Sequence, residues 1–252
     1  MIFLHKHPKI SNRTQRTSFL AVLALGAFLM GNAVARSDLE TSQKTEDSAQ
    51  STLKTNDKAM AHARQALRAL SAGLHALQAN FTQYQQGPGG SRRDINSGTV
   101  SLMEPNKFRW HYQKPQEQLI IATGSEILIY DPDLEQLTIK KQDNDRNPIY
   151  VLFNPELIDT HYRLTETRQA DGLLWIRIVP RQPDENAQDV WLGINEKTGQ
   201  LVQIHLLDKL NQVVVFEFSD IMRNPALKPE LFQFGPPEGT DVVRDEPAGG
   251  EF

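Results

Sequence analysis

Cysteine is absent from all 252 residues. That removes disulfides, thiolate metal sites and nucleophilic thiol chemistry together, and with them any lipid anchor carried on a cysteine, so core packing has to hold the fold. Long apolar runs are missing as well. The charge-free stretch Ser18 to Met30 has about 13 residues against the roughly 20 needed to span a bilayer.

Catalytic signatures are also missing. No G-x-S-x-G, H-E-x-x-H, G-x-x-x-x-G-K-[ST] or G-x-G-x-x-G occurs. His62, His75, His111, His161 and His205 are spread without ligand spacing and read as surface or turn residues. The carboxylate pairs Asp131/Asp133, Asp143/Asp145 and Asp184/Glu185 lie in polar turns and read as solvated charge. With no positive sign of catalysis, cofactor or metal, a binding role is expected. Nor is there a basic surplus: the net charge is −4, from 27 basic and 31 acidic residues. This argues against nucleic acid as a partner and against adsorption to an anionic membrane by charge alone.

What is present begins with a leader. Residues 1–17 carry Lys6, Lys9, Arg13 and Arg16 with no acid, the apolar run follows, and Ala33-Val34-Ala35 closes it. This order describes a secretory signal peptide over residues 1–35, cleaved after Ala35. Cleavage leaves 23 basic residues against 31 acidic ones, a net −8. Residues 36–56 are polar, with Leu39 and Leu53 their only large apolar side chains, and read as a flexible tail. One domain is expected over 57–245, with a disordered end over 246–252.

Within that domain Met60, Ala63, Leu67, Leu70, Leu74, Leu77 and Phe81 recur at steps of three and four, which predicts one amphipathic helix capped by Asp57 and interrupted by Gly73. Short strand signals follow, separated by turns about every ten residues. The clearest is Lys107 to Tyr112, where Phe108, Trp110 and Tyr112 alternate with Lys107, Arg109 and His111, a half-buried strand. Residues 147–160 interrupt the strands with short helical turns between Pro148 and Pro155. The fold class is therefore α+β, mainly antiparallel β, with about ten or eleven strands. A sheet of that size must curl and be covered. The cover available is small, so the sheet either encloses a ligand cavity or closes on itself as a barrel.

Several segments together resemble the LolA family of periplasmic outer-membrane lipoprotein carriers. They are Leu77-Gln78-Ala79-Asn80-Phe81-Thr82-Gln83; Ser97-Gly98-Thr99-Val100 before Pro105-Asn106-Lys107-Phe108-Arg109-Trp110; and Tyr130-Asp131-Pro132-Asp133-Leu134-Glu135-Gln136. The Gly172 to Pro180 strand, the Asn195 to Gly199 turn and Phe232-Gln233-Phe234-Gly235-Pro236-Pro237-Glu238-Gly239 complete the set, in family order over residues 59–243. The resemblance implies an unclosed half β-barrel under a helical lid, whose cavity takes the acyl chains of lipoproteins in the periplasm. It further implies delivery from an inner-membrane Lol ABC transporter to the outer-membrane receptor LolB, by a monomer. In one respect the chain departs from the family: Glu104 stands where members carry Arg before Pro-Asn.

On that basis the cavity wall is expected to include Phe108, Trp110, Tyr112, Ile121 and Tyr130, and the lid to present Leu67, Leu70, Leu74 and Ile158. Two other readings stay open: a periplasmic carrier of a different lipid, which shares every feature above, and a half-barrel envelope-stress sensing module, for which a membrane anchor or extra domain is the usual accompaniment.

Overall fold

The structure, a computed structural model, describes residues 44–142, 148–182, 189–207 and 212–245. The expected leader and the frayed C-terminus lie outside these residues. The first element is a helix, α1, over Lys44–Ser71. It starts before the expected cap Asp57 and takes in residues 44–56, assigned above to a flexible tail. A composition that buries little does not forbid a helix, and no Gly or Pro occurs between Lys44 and Ser71.

The helix also stops ten residues before Phe81. Ala72 N–H still donates to Arg68 O at 2.9 Å, then Gly73 takes φ 61° and Leu74 N–H turns back to Ser71 O at 3.0 Å. Strand β1, Ala76–Gln86, begins immediately afterwards. Leu77 and Phe81 remain buried because a spacing of four residues keeps side chains on one face of a strand as well as on one stripe of a helix.

The remaining strands are β2 (Arg92–Met103), β3 (Lys107–Lys114), β4 (Gln118–Ala122), β5 (Glu126–Asp131), β6 (Gln136–Lys141), β7 (Tyr162–Ala170), β8 (Leu173–Pro180), β9 (Asp189–Asn195), β10 (Leu201–Leu207), β11 (Val213–Arg223) and β12 (Asp241–Asp245). Between β6 and β7 lie a 3-10 turn, Pro148–Leu152, and a short helix α2, Leu157–Thr160. All twelve strands form one sheet in the order β12-β6-β5-β4-β3-β2-β1-β11-β10-β9-β8-β7. The strand beyond the expected ten or eleven is β12, exposed throughout and, among the described residues, the only one paired in parallel, alongside β6. Two hairpin runs, β1 to β6 and β7 to β11, are stitched together where β1 pairs with β11. The outermost strands β12 and β7 do not pair with each other, so the barrel is unclosed.

The two faces of this sheet are covered differently. On the inner face Ala63, Leu67 and Leu70 of α1, Leu74, and the residues of the 3-10 turn and α2 pack on residues of ten strands, from Ile127 of β5 round to Tyr162 of β7. On the outer face of β4 to β6 a second core forms from Leu119, Ile121, Leu128 and Leu137, sealed by Phe232. The segment carrying Phe232 includes a 3-10 turn, Pro229–Phe232, and links β11 to β12 across that face.

Candidate functional site

Strand alternation sends Phe108, Trp110 and Tyr112 to the inner face. Phe81 of β1 meets Trp110 and Tyr112 edge-on, with ring centroids 4.8 and 5.0 Å away. The two strands that bear these rings are not neighbours, since β2 runs between them. What allows the contact with Tyr112 is Gly98, which pairs with Phe81 on one side and Tyr112 on the other and has no side chain to separate the rings. A Cβ there would come within 1.9 Å of His111 O. Phe216 and Phe218 of β11 extend the cluster, at 5.4 and 6.2 Å from Trp110. Edge-to-face contacts at these separations add about 0.5–1.5 kcal/mol each beyond area burial. Tyr112 closes one end by donating its hydroxyl to Gln83 Oε1 at 2.7 Å, and burial raises its pKa, so it stays neutral.

Over this floor sits the lid. Phe108 is 4% exposed, with the Tyr150 ring of the 3-10 turn 6.3 Å away. Between Leu77, Ala79, Val100 and Leu102 of the sheet and Ile149 and Leu152 of the lid, the free space is about 10 Å³. That holds about one water molecule at most, so with the lid closed its own apolar side chains fill the chamber.

Polar contacts fasten the lid at several points. Arg64 of α1 pairs with Asp159 of α2 at 2.5 Å, and Ser71 Oγ donates to Leu67 O at 2.9 Å and to Val151 O at 3.4 Å. The Tyr150 hydroxyl donates to Asn106 O at 3.1 Å and accepts from Gln142 Nε2 at 2.8 Å, while the same Nε2 reaches Asn106 O at 2.7 Å. Burial raises the Tyr150 pKa, with the Gln142 bond pulling the other way, and the hydroxyl remains a donor. At the far end Arg223 donates to Leu70 O at 2.8 Å and Ala72 O at 3.2 Å, and Asn224 Nδ2 donates to Gly73 O at 2.7 Å. Leu70 O belongs to the last turn of α1, where carbonyls lack a next-turn partner, and Ala72 and Gly73 follow that turn directly.

Of the expected site residues, the structure gathers Phe108, Trp110, Tyr112, Leu67, Leu70, Leu74 and Ile158 in and around one inner core. Ile121 and Tyr130 are placed elsewhere, and this is a correction. Phe108 pairs with Ala122 and Arg109 with Ile121, so Ile121 shares the outer face with Arg109, and Tyr130 lies 4.8 Å from Phe234 on that same face. Their inner-face counterparts are Ile120 and Ile127. In Leu119-Ile120-Ile121-Ala122 every residue is apolar because both faces are covered there, and alternation gives no phase. Phe216, Phe218, Tyr150 and Arg223 were not singled out from the sequence, and Phe81 was read as the end of a helix stripe; the regular two-residue step from Phe216 to Phe218 was the available signal.

Glu104 does not reach the lid core. It pairs with His75 Nδ1 at 2.5 Å, and its N–H donates to His75 O, tying the β2–β3 turn to the exit of α1 at the surface. Arg109 donates to Leu231 O on the outer face at 3.2 Å, so the arginine that holds helix carbonyls here is Arg223.

A family profile described as outer membrane lipoprotein carrier protein LolA matches residues 72–235. The outer-membrane lipoprotein carrier protein of Xanthomonas oryzae pv. oryzae (strain MAFF 311018) is 37% identical over 191 residues, covering 74% of this chain and 90% of that one. Its counterpart in Bordetella avium (strain 197N) is 34% identical over 185 residues, covering 72% and 87%. Among solved structures, a putative outer membrane lipoprotein-sorting protein domain from Vibrio parahaemolyticus aligns with TM-score 0.40 and 10% identity, covering 71% of this chain and 96% of that one.

Proposed function

The chain belongs to the LolA family of outer-membrane lipoprotein carriers, and on that premise we propose that it carries lipoproteins by exchanging lid side chains for acyl chains on the inner face of the sheet. The observation that carries this reading is the chamber itself: an aromatic and aliphatic floor packed under apolar lid side chains, with a void of about 10 Å³ between Leu77, Val100 and Leu152. Burying a methylene is worth about 0.8 kcal/mol, so a few chains bound without competition would hardly be released. Lid residues that occupy the chamber when it is empty offset part of that gain, and affinity is set by the difference between the two occupants. The protein works in the periplasm, reached through the leader at residues 1–35. It takes cargo from an inner-membrane ABC transporter, passes it to an outer-membrane receptor such as LolB, and acts as a monomer without catalysis.

The test is release of labelled lipoprotein from inner-membrane vesicles carrying the cognate transporter into a soluble complex with the protein. No soluble complex under those conditions would remove the assignment. Phe108→Glu puts an unpaired carboxylate into the chamber and should weaken loading by at least about tenfold. Full loading of a folded Phe108→Glu protein would take Phe108 out of the site.

A further inference from the structure

Beside α1, away from the 3-10 turn, an open groove of about 450 Å³ lies between the helix flank at Ala66 and Ala69 and the β9–β10 turn at Thr198. That size is within the range of about 300–1,000 Å³ typical of ligand pockets. Its floor is Leu174 and Ile194, which are 4% and 3% exposed and belong to the same core as Phe108. At its rim stands Arg223. The groove therefore runs from the apolar interior to water, and short alanine side chains on the helix flank leave it open.

We propose that this groove seats the polar junction of an acylated polypeptide, the glyceryl ester and first peptide units where acyl chains join protein, while the chains run inward over Leu174 and Ile194. The proposal rests on the chamber reading and adds the place where cargo leaves it. An ester or amide junction is uncharged and rich in carbonyl oxygens, so it asks for hydrogen-bond donors and not for a countercharge. Arg223 has five N–H donors, and among the described residues its bonds go to two oxygens, Leu70 O and Ala72 O. Cargo carbonyls take N–H donors that Leu70 O and Ala72 O leave over, on the same guanidinium that holds the end of α1. Seating the junction thus places the polar head on the side chain that holds the end of α1 at Leu70, and links its recognition to the lid.

Because the chain has no cysteine, Thr198→Cys provides a unique attachment point for an environment-sensitive fluorophore, and Ser219→Cys on the outer face provides the control. Each labelled protein is titrated with a synthetic S-diacylglyceryl-cysteinyl peptide and, separately, with palmitate. The fluorophore at residue 198 should respond to the lipopeptide and that at 219 should not. Ala69→Trp, at an exposed position on the groove flank, should weaken lipopeptide binding by about tenfold while changing palmitate binding by less than about twofold. A silent fluorophore at 198 during saturable lipopeptide binding overturns the proposal and leaves the chamber intact. Equal losses for both ligands in Ala69→Trp, or none for either, likewise overturn it. If the unmutated protein binds neither ligand, the chamber reading falls and the groove with it.

Discussion

On the outer face Phe232 is 1% exposed beneath one segment that begins in β11 and ends in β12, both laddered into the sheet, whereas the lid over Phe108 has two parts, the 148–160 span between the laddered strands β6 and β7 and the helix α1, which runs into the sheet at one end alone. The outer segment is drawn tight, with Asn224 N–H on Ala76 O at 2.8 Å at one end and Asp241 N–H on Glu135 O at 2.8 Å at the other. The inner cover is made of two pieces. Helix α1 joins the sheet only through its C-terminal end, the 148–160 span crosses from β6 to β7, and the two meet through side chains such as Arg64 and Asp159. Both covers bury apolar surface and gain by the same rule of area. They differ in how they are tied: the outer segment is held by strands at both ends, whereas α1 is held by the sheet at one end and elsewhere by side-chain contacts such as Arg64 with Asp159. A permanent core and an exchangeable one can thus be built on two sides of one sheet.

The largest effect should come from breaking the permanent side. Phe232→Ala is expected to cost about 3–5 kcal/mol in urea unfolding, with lipopeptide affinity per folded molecule unchanged. A fall in affinity would mean that the outer core shapes the chamber. Next is Leu70→Ala in the lid, which should cost about 2–5 kcal/mol of stability and yet raise lipopeptide affinity, by up to about tenfold, because less must be given up on loading. Affinity that falls along with stability would make the lid a wall of the site and not a competitor for it. Smaller still is Tyr150→Phe, which strips a donor from Asn106 O but leaves Gln142 on that oxygen, for a loss of about 1 kcal/mol. Amides of residues 148–152 should then exchange hydrogen faster at nearly constant global stability. Unchanged exchange there would show that the hydroxyl does not fasten the lid.

The aromatic strand and the hairpin order were legible in the sequence because alternation and turn residues are local signals. The phase of Ile121 and Tyr130 was not, since a strand covered on both faces is apolar at every position and a slip of one residue moves the whole set to the other side. The helix end was hidden by a coincidence of periods: steps of three and four through Leu70, Leu74, Leu77 and Phe81 suit a helix stripe, but Leu77, Ala79 and Phe81 also suit one face of β1. Gly73 at positive φ was the physical arbiter. Gly98 shows the opposite limit, because its role depends on Phe81 and Tyr112 meeting across β2, a contact between residues 31 apart in the chain. Arg223 was equally hidden, as its partners are carbonyls about 150 residues away. The short parallel β12 lacked a hydrophobic pattern of its own and is paired only because the outer cover ends beside β6.

The smallest expected effect is a pH dependence that separates the faces again. His205 lies on the outer face with its ring 4.5 Å from Trp175 and its Nε2 3.0 Å from Gln203 Oε1. Burial, reinforced by the Arg168 charge and opposed by Glu217, lowers its pKa below the ordinary 6.5. In the unfolded chain the imidazole takes up a proton as pH falls through 6.5, whereas the folded protein resists doing so until lower pH. Stability should therefore decline as pH falls from 6.5 toward the depressed folded value, and be flat with respect to this group above 6.5. His205→Gln keeps a polar side chain and abolishes the titration, so its urea midpoint should vary less than that of the unmutated protein between about pH 8 and about pH 5. Lipopeptide affinity should match in the two proteins at either pH, because the imidazole faces away from the chamber. An acid-induced loss of affinity that disappears in His205→Gln would show that the outer face does communicate with the lid, and that the two covers are not independent.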